Sequence, residues 1–138
     1  MARFIVDASA VLQLAAEEFE GPGDHELLAP TLLRSQTLNA LHEAVHRGEL
    51  SEAEANARLA RIAEIPIRLL GDAVLRRRAW KVADELGWGS TYDAEYVALT
   101  ILQGDALITL DEELARQAEQ LVSIASIDEL LTIGRASG

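Results

Sequence analysis

Residues 4–12 read FIVDASAVL and residues 107–115 read LITLDEELA. Each stretch is a short apolar run rich in β-branched residues, then one aspartate, then the start of a helical pattern. Such a run is strand-like. Asp7 and Asp111 therefore each stand where a strand ends and a helix begins. Repeated at two points of one chain, this unit implies parallel strands joined by helices, and open parallel sheets bind ligands beyond the carboxyl ends of their strands.

The pattern continues outward from these two units. Val11, Leu12, Ala15 and Ala16 share a helical face within 8–18, and Glu20–Asp24 is a loop marked by Gly21, Pro22 and Gly23. A second strand is expected at 25–29, closed by Pro30. A helix follows at 31–46, apolar along Leu33, Thr37, Ala40, Leu41, Ala44 and Val45, with Gly48 beyond it. Ser51 and Glu54 form a capping box that opens a helix to Glu64. A strand at 65–70 and a helix from Asp72 to Leu86 come next. Ser90 and Asp93 read as a second cap, for a helix at 92–103. Strands at 106–110 and 121–124 and helices at 112–119 and 128–133 complete the chain. The expected architecture is α/β, with a central parallel sheet carrying helices on both faces, in a single domain over 1–133. Residues 134–138 are expected to fray.

The chain has 138 residues, 49% of them apolar, no cysteine and a net charge of −11. The absence of cysteine excludes disulfides and thiolate metal sites or nucleophiles. No apolar run is long enough to span a bilayer, and the N-terminus lacks the features of a signal peptide, so a cytoplasmic protein without membrane association is expected. The charge is wrong for a protein that grips nucleic acid by its overall positive potential. Binding of that kind would need metal ions or a local patch. The strongest patch is Arg76-Arg77-Arg78 with Lys81 one turn later, which in isolation reads equally well as a solvated helix face.

A third acid deepens the pattern. Residues 91–99, TYDAEYVAL, place Asp93 and Glu95 in a segment otherwise built for burial. Asp93 lies in the first turn of its helix, where the helix dipole favours negative charge. Glu95 is about 200° away around the helix, so it ranks as a secondary candidate. Capping explains any one of these aspartates. Three at strand ends and helix starts, if the sheet gathers them, repel one another and call for a cation. Carboxylates without thiols or paired histidines suit Mg²⁺ or Mn²⁺.

IVDASAV (5–11), LAPTLLRSQTLNAL (28–41) and YDAEYVALTILQGDALITLD (92–111) resemble the PIN-domain ribonucleases, and more narrowly the VapC-type toxins of toxin–antitoxin pairs. The resemblance covers almost the whole chain. It implies a three-layer α/β/α sandwich, metal-dependent endoribonuclease activity on RNA, a homodimer and a cognate antitoxin. It also implies that Asp7, Asp93 and Asp111 hold Mg²⁺ or Mn²⁺, supported by Ser9 and Thr109. The family carries a glutamate where this chain has Gln36, which brings no charge and cannot act as a base. Glu43, seven residues on, lies roughly 10 Å further along the helix and is a poor replacement. His25, His42 and His46 lie outside the motifs. Arg76, Arg77 and Lys81 become candidate RNA contacts. The main alternative is a catalytically weak PIN domain that chiefly binds its antitoxin. A phosphoacceptor receiver domain is disfavoured because the sole lysine, Lys81, is mid-helix. A D-x-D phosphatase is disfavoured because residue 9 is serine.

Overall fold

A computed structural model of the chain describes residues 1–17 and 19–137. Five strands, β1 (Arg3–Val6), β2 (Glu26–Pro30), β3 (Ile67–Leu70), β4 (Ala106–Ile108) and β5 (Ile124–Ala125), form one sheet in the order β3-β2-β1-β4-β5. Every pairing is parallel. Seven helices connect and cover them: α1 (Ala8–Ala16), α2 (Leu32–His46), α3 (Glu52–Glu64), α4 (Ala73–Leu86), α5 (Tyr92–Gln103), α6 (Glu112–Ala118) and α7 (Asp128–Ser137). Helices α1, α2 and α3 pack on one another, whereas α5 lies against β1, β2 and β4 and carries α4 on its outer side. The result is the expected three-layer α/β/α sandwich.

Beyond Arg3 and Glu26, which pair at the amino-terminal edge, the central strands are apolar because helices cover both faces. Ile5, Val6, Leu28, Leu107 and Ile108 are fully buried, as are Val11 and Leu14 of α1 and Val97 and Ala98 of α5. From β1 the chain steps outward to β2 and β3, then returns to the other side of β1 as β4. The strand order thus reverses between β1 and β4, and a crevice opens there at the carboxyl ends.

Element boundaries differ from expectation where local hydrogen bonds compete with the sheet. β4 stops at Ile108 because the Thr109 side chain bonds to Asp7 and Asp111 instead. The last strand is Ile124–Ala125, not 121–124, because the amides of Leu121 and Val122 both bond back to the Ala118 carbonyl. Ser90 does not cap α5: the N-cap is Thr91, without a side-chain bond, and the Ser90 hydroxyl accepts only from Tyr92 N–H, at 3.3 Å. Ser51 does cap α3, accepting from Glu54 N–H at 3.1 Å, but the Glu54 carboxylate turns to Arg58. Helix α7 runs to Ser137 rather than Ile133, and Gly138, the end of the expected tail, lies outside the described residues.

Gly104, between α5 and β4, has no room for a side chain. A Cβ there would stand 2.2 Å from the Cδ1 of fully buried Ile5, whose side chain would have to shift within the core. Gly104→Ala is expected to destabilise the fold by about 1–3 kcal/mol, the usual cost of overpacking a core. Urea denaturation would show this as a lower midpoint with an unchanged slope.

Candidate active site

Asp7 follows β1 directly. Its backbone N–H donates to the Ile108 carbonyl at 3.3 Å, continuing the β1–β4 register one step past the last strand pair, Val6 and Ile108. The side chain is 7% exposed and serves as the N-cap of α1. Its Oδ1 accepts from the Ser9 hydroxyl at 2.6 Å and Ala10 N–H at 3.0 Å, and its Oδ2 accepts from the Thr109 hydroxyl. The two hydroxyls do more than satisfy Asp7. Ser9 Oγ accepts from Leu110 N–H at 2.9 Å, and Thr109 Oγ1 accepts from Asp111 N–H at 3.0 Å. They therefore stitch the end of β1 to the turn that follows β4.

Asp111 caps α6, its Oδ1 accepting from Glu113 and Leu114 N–H, both at 3.1 Å. Asp93 projects from the first turn of α5. Its side chain makes no hydrogen bond among the described residues, and with Asp111 it lines an open recess of about 390 Å³. The three acids feel one another. Burial pushes the Asp7 carboxyl above its ordinary range; the hydrogen bonds from Ser9, Thr109 and Ala10 oppose this, and Asp111 adds to it. Asp93 keeps contact with solvent, yet partial desolvation raises its pKa, and the charges of Asp111 and Asp7 raise it further. Among the described residues, no basic side chain is ion-paired with any of the three.

The other candidates separate clearly. Gln36 is half-buried on α2 and its Oε1 accepts from the Tyr96 hydroxyl at 2.5 Å. The Tyr96 pKa is raised, first by burial and then by Asp7, Glu95 and Asp93, so the phenol stays protonated and remains a donor. Tyr96 was not a candidate from sequence; its signal was the shared face with Asp93, three residues earlier. Glu95 is half-buried and its pKa is raised by burial alone. Glu43 is exposed and occupied elsewhere, accepting from Asn39 at 2.5 Å and Arg47 at 3.3 Å. Arg76, Arg77 and Lys81 lie exposed on α4 without an ion pair among the described residues, beside Trp80, which is 67% exposed.

A model of the PIN domain family matches residues 4–120. The chain belongs to that family. Over 119 residues it is 31% identical to Ribonuclease VapC3 of Mycobacterium tuberculosis, in both the CDC 1551 / Oshkosh and H37Rv strains, covering 81% of this chain and 85% of that protein. PAE2754 from Pyrobaculum aerophilum superposes with a TM-score of 0.75 at 27% identity, covering 97% of this chain and 96% of that one. VapBC2 from Rickettsia felis, solved bound to a DNA fragment from their promoter, superposes with a TM-score of 0.66 at 7% identity, over 90% of this chain and 98% of that one. At that identity the likeness is one of fold. No helix among the described residues of this PIN domain is long and apolar enough to cross a membrane.

The raised Asp93 pKa makes a stability prediction for the PIN domain. A carboxyl whose folded pKa exceeds its unfolded value contributes stability below the unfolded pKa and loses it as pH rises through the folded pKa. Asp93→Asn removes that loss. In metal-free buffer the variant should match the parent at a pH below about 3.9, the ordinary aspartate value. It should become the more stable of the two as pH rises, by up to about 1 kcal/mol, the scale of a solvent-screened interaction. Thermal unfolding of both proteins across pH 3–8 reads the difference.

Proposed function

We propose that this chain is a metal-dependent endoribonuclease toxin of a toxin–antitoxin system, hydrolysing RNA phosphodiester bonds in the cytoplasm. The observation that supports the proposal is the electrostatic coupling of Asp7, Asp93 and Asp111 around the carboxyl ends of β1 and β4, with no basic side chain ion-paired to them among the described residues. Kinship with a ribonuclease supports the reaction class.

The donor set fits a hard divalent cation. Every candidate ligand atom is an oxygen, and among the described residues no basic side chain is ion-paired with the coupled carboxylates. Among the described residues no three acidic or histidine side chains stand close enough to chelate an ion together. The three aspartates are thus not a preformed chelate, and their assignment to one ion rests on their mutual electrostatic coupling and needs a hydrated ion that they reach partly through water, as Mg²⁺ allows. Asp7, Asp93 and Asp111 would hold the ion, and bound there it would supply Lewis acidity and a more acidic water. Ser9 and Thr109 hold the Asp7 carboxylate in one orientation. Asp111 is fixed by two amides, whereas Asp93 is free to adjust. Gln36 keeps its oxygen on Tyr96 and leaves the site one charge short of the family pattern. That substitution favours the second reading, a PIN domain that mainly binds its antitoxin.

The two readings part on one assay. Cleavage of RNA by the purified protein should require Mg²⁺ or Mn²⁺ and stop with EDTA. Asp93→Asn should lower it by roughly a hundredfold or more, since charge stabilisation of this kind is worth several kcal/mol. Asp93 suits this test because no hydrogen bond is lost with it. No metal-dependent cleavage above that of the variant would leave the binding-only reading.

The reading also includes a homodimer and a cognate antitoxin, for which exposed Leu38, Val74 and Leu102 offer apolar surface. RNA would approach along α4, whose Arg76, Arg77 and Lys81 give local positive potential on an acidic chain. Replacing Arg77 and Lys81 with alanine should flatten the dependence of RNA affinity on salt. The expected change in log–log slope is about 0.7 per lost phosphate contact on a single strand. An unchanged slope would make the patch a solvated helix face.

A further inference from the structure

The recess beside the acids has a wall that the metal reading does not use. It lies under the α4–α5 turn, and Trp88, Gly89, Ser90 and Gln117 line it together with Asp93 and Asp111. Trp88 is fixed from three directions. Gly87, at φ 71°, ends α4 in the left-handed conformation, and Trp88 N–H bonds back to the Ala83 carbonyl at 2.8 Å. This is the helix-ending turn in which the following apolar residue folds onto the helix. The ring is half-buried against the core. Its indole N–H donates to Gln117 Oε1, Gln117 Nε2 donates to Glu113 at 2.6 Å, and Glu113 N–H donates to Asp111 at 3.1 Å. The ring is thus tied to the same turn that holds Asp111.

We propose that this recess is a nucleobase subsite, taking the RNA base adjacent to the phosphate that is cut. It rests on the ribonuclease reading. A volume of about 390 Å³ admits a base and its sugar. Without a cation, Asp93, Asp111 and Glu113 on its lining disfavour a phosphate inside the recess but not a neutral ring. Single-stranded RNA is read by splaying a base out, stacking it on an aromatic side chain and bonding its edge. Trp88, half-buried on the lining, is the aromatic side chain there that could stack on a base. The Ser90 hydroxyl makes no bond among the described residues as a donor, so it is available to the base edge. Sequence reading missed Trp88 because its partner, Gln117, lies on another helix.

Two indole N–H resonances, assigned with Trp80→Phe, report the test without requiring cleavage. Adenosine, guanosine, cytidine and uridine are titrated in EDTA, with ribose as control. The expected result is a saturable shift of the Trp88 resonance alone, with one nucleoside favoured at least threefold and no response to ribose. A Cβ on Gly89 meets nothing within 4 Å, so Gly89→Ala adds a side chain to the lining of the recess without a backbone clash. It should weaken the response about tenfold while keeping the urea midpoint. No shift, an equal shift with ribose, or an equal shift of Trp80 would overturn the subsite. A five-residue oligoribonucleotide should compete at lower concentration than the matching nucleoside 5′-monophosphate. The reverse order would make this a free-nucleotide site and overturn the RNA assignment. These arms read binding alone, so their failure leaves the metal-dependent cleavage standing, and the loss of cleavage leaves them intact.

Discussion

The structure turns on one buried carboxylate. Asp7 sits at the end of the central strand, where an uncompensated charge would cost several kcal/mol. Two hydroxyls and one amide donate to it. Because Ser9 and Thr109 in turn accept amides from the turn after β4, the same bonds that satisfy Asp7 fix where Asp111 stands. Removing either hydroxyl would loosen the site and the β1–β4 seam together. The strand-order reversal opens the crevice, and the bonds that satisfy Asp7 fix the turn that lines it.

That arrangement leaves an imbalance. The hydroxyls are neutral donors: they lower the cost of ionising Asp7 without cancelling its charge, and its pKa stays raised. Asp93 has even less support and is raised by its neighbours as well as by desolvation. A fourth acid at position 36 would add to this repulsion. Gln36 instead accepts the Tyr96 hydroxyl, a bond that joins α2 to α5 beneath the acids. The substitution gives up charge at the site and keeps an acceptor for a buried phenol. On the proposed reading, a chain of net charge −11 would depend on local positive potential such as that of α4 to attract a polyanion.

Much of this was legible in the sequence because it is local. A strand, an aspartate and a helix start are consecutive, so the parallel α/β architecture and the positions of Asp7 and Asp111 could be read from residues 4–12 and 107–115. Asp93 followed from a carboxylate in an apolar helix. What failed was decided by partners far apart in sequence or by competition between close alternatives. Tyr96 meets Gln36 across 60 residues, and Trp88 meets Gln117 across 29. Ser90 has the spacing of a cap, but the chain enters α5 one residue later. Leu121 and Val122 look like strand residues, yet their amides finish the turn after α6. Glu43 and Arg47 show the converse: a plausible site acid was already part of an ordinary i, i+4 pair.

The central claim is that the three aspartates form one cation site. Sub-stoichiometric Mn²⁺ added to the ¹⁵N-labelled protein tests it most directly, because the paramagnetic ion broadens amides near where it binds. The account predicts that the amides of Ala10, Ala94 and Leu114 broaden first and together, while those of the acidic start of α3, Glu52 and Glu54, stay sharp. Broadening that begins on α3, or spreads evenly over the acidic surface, would contradict it.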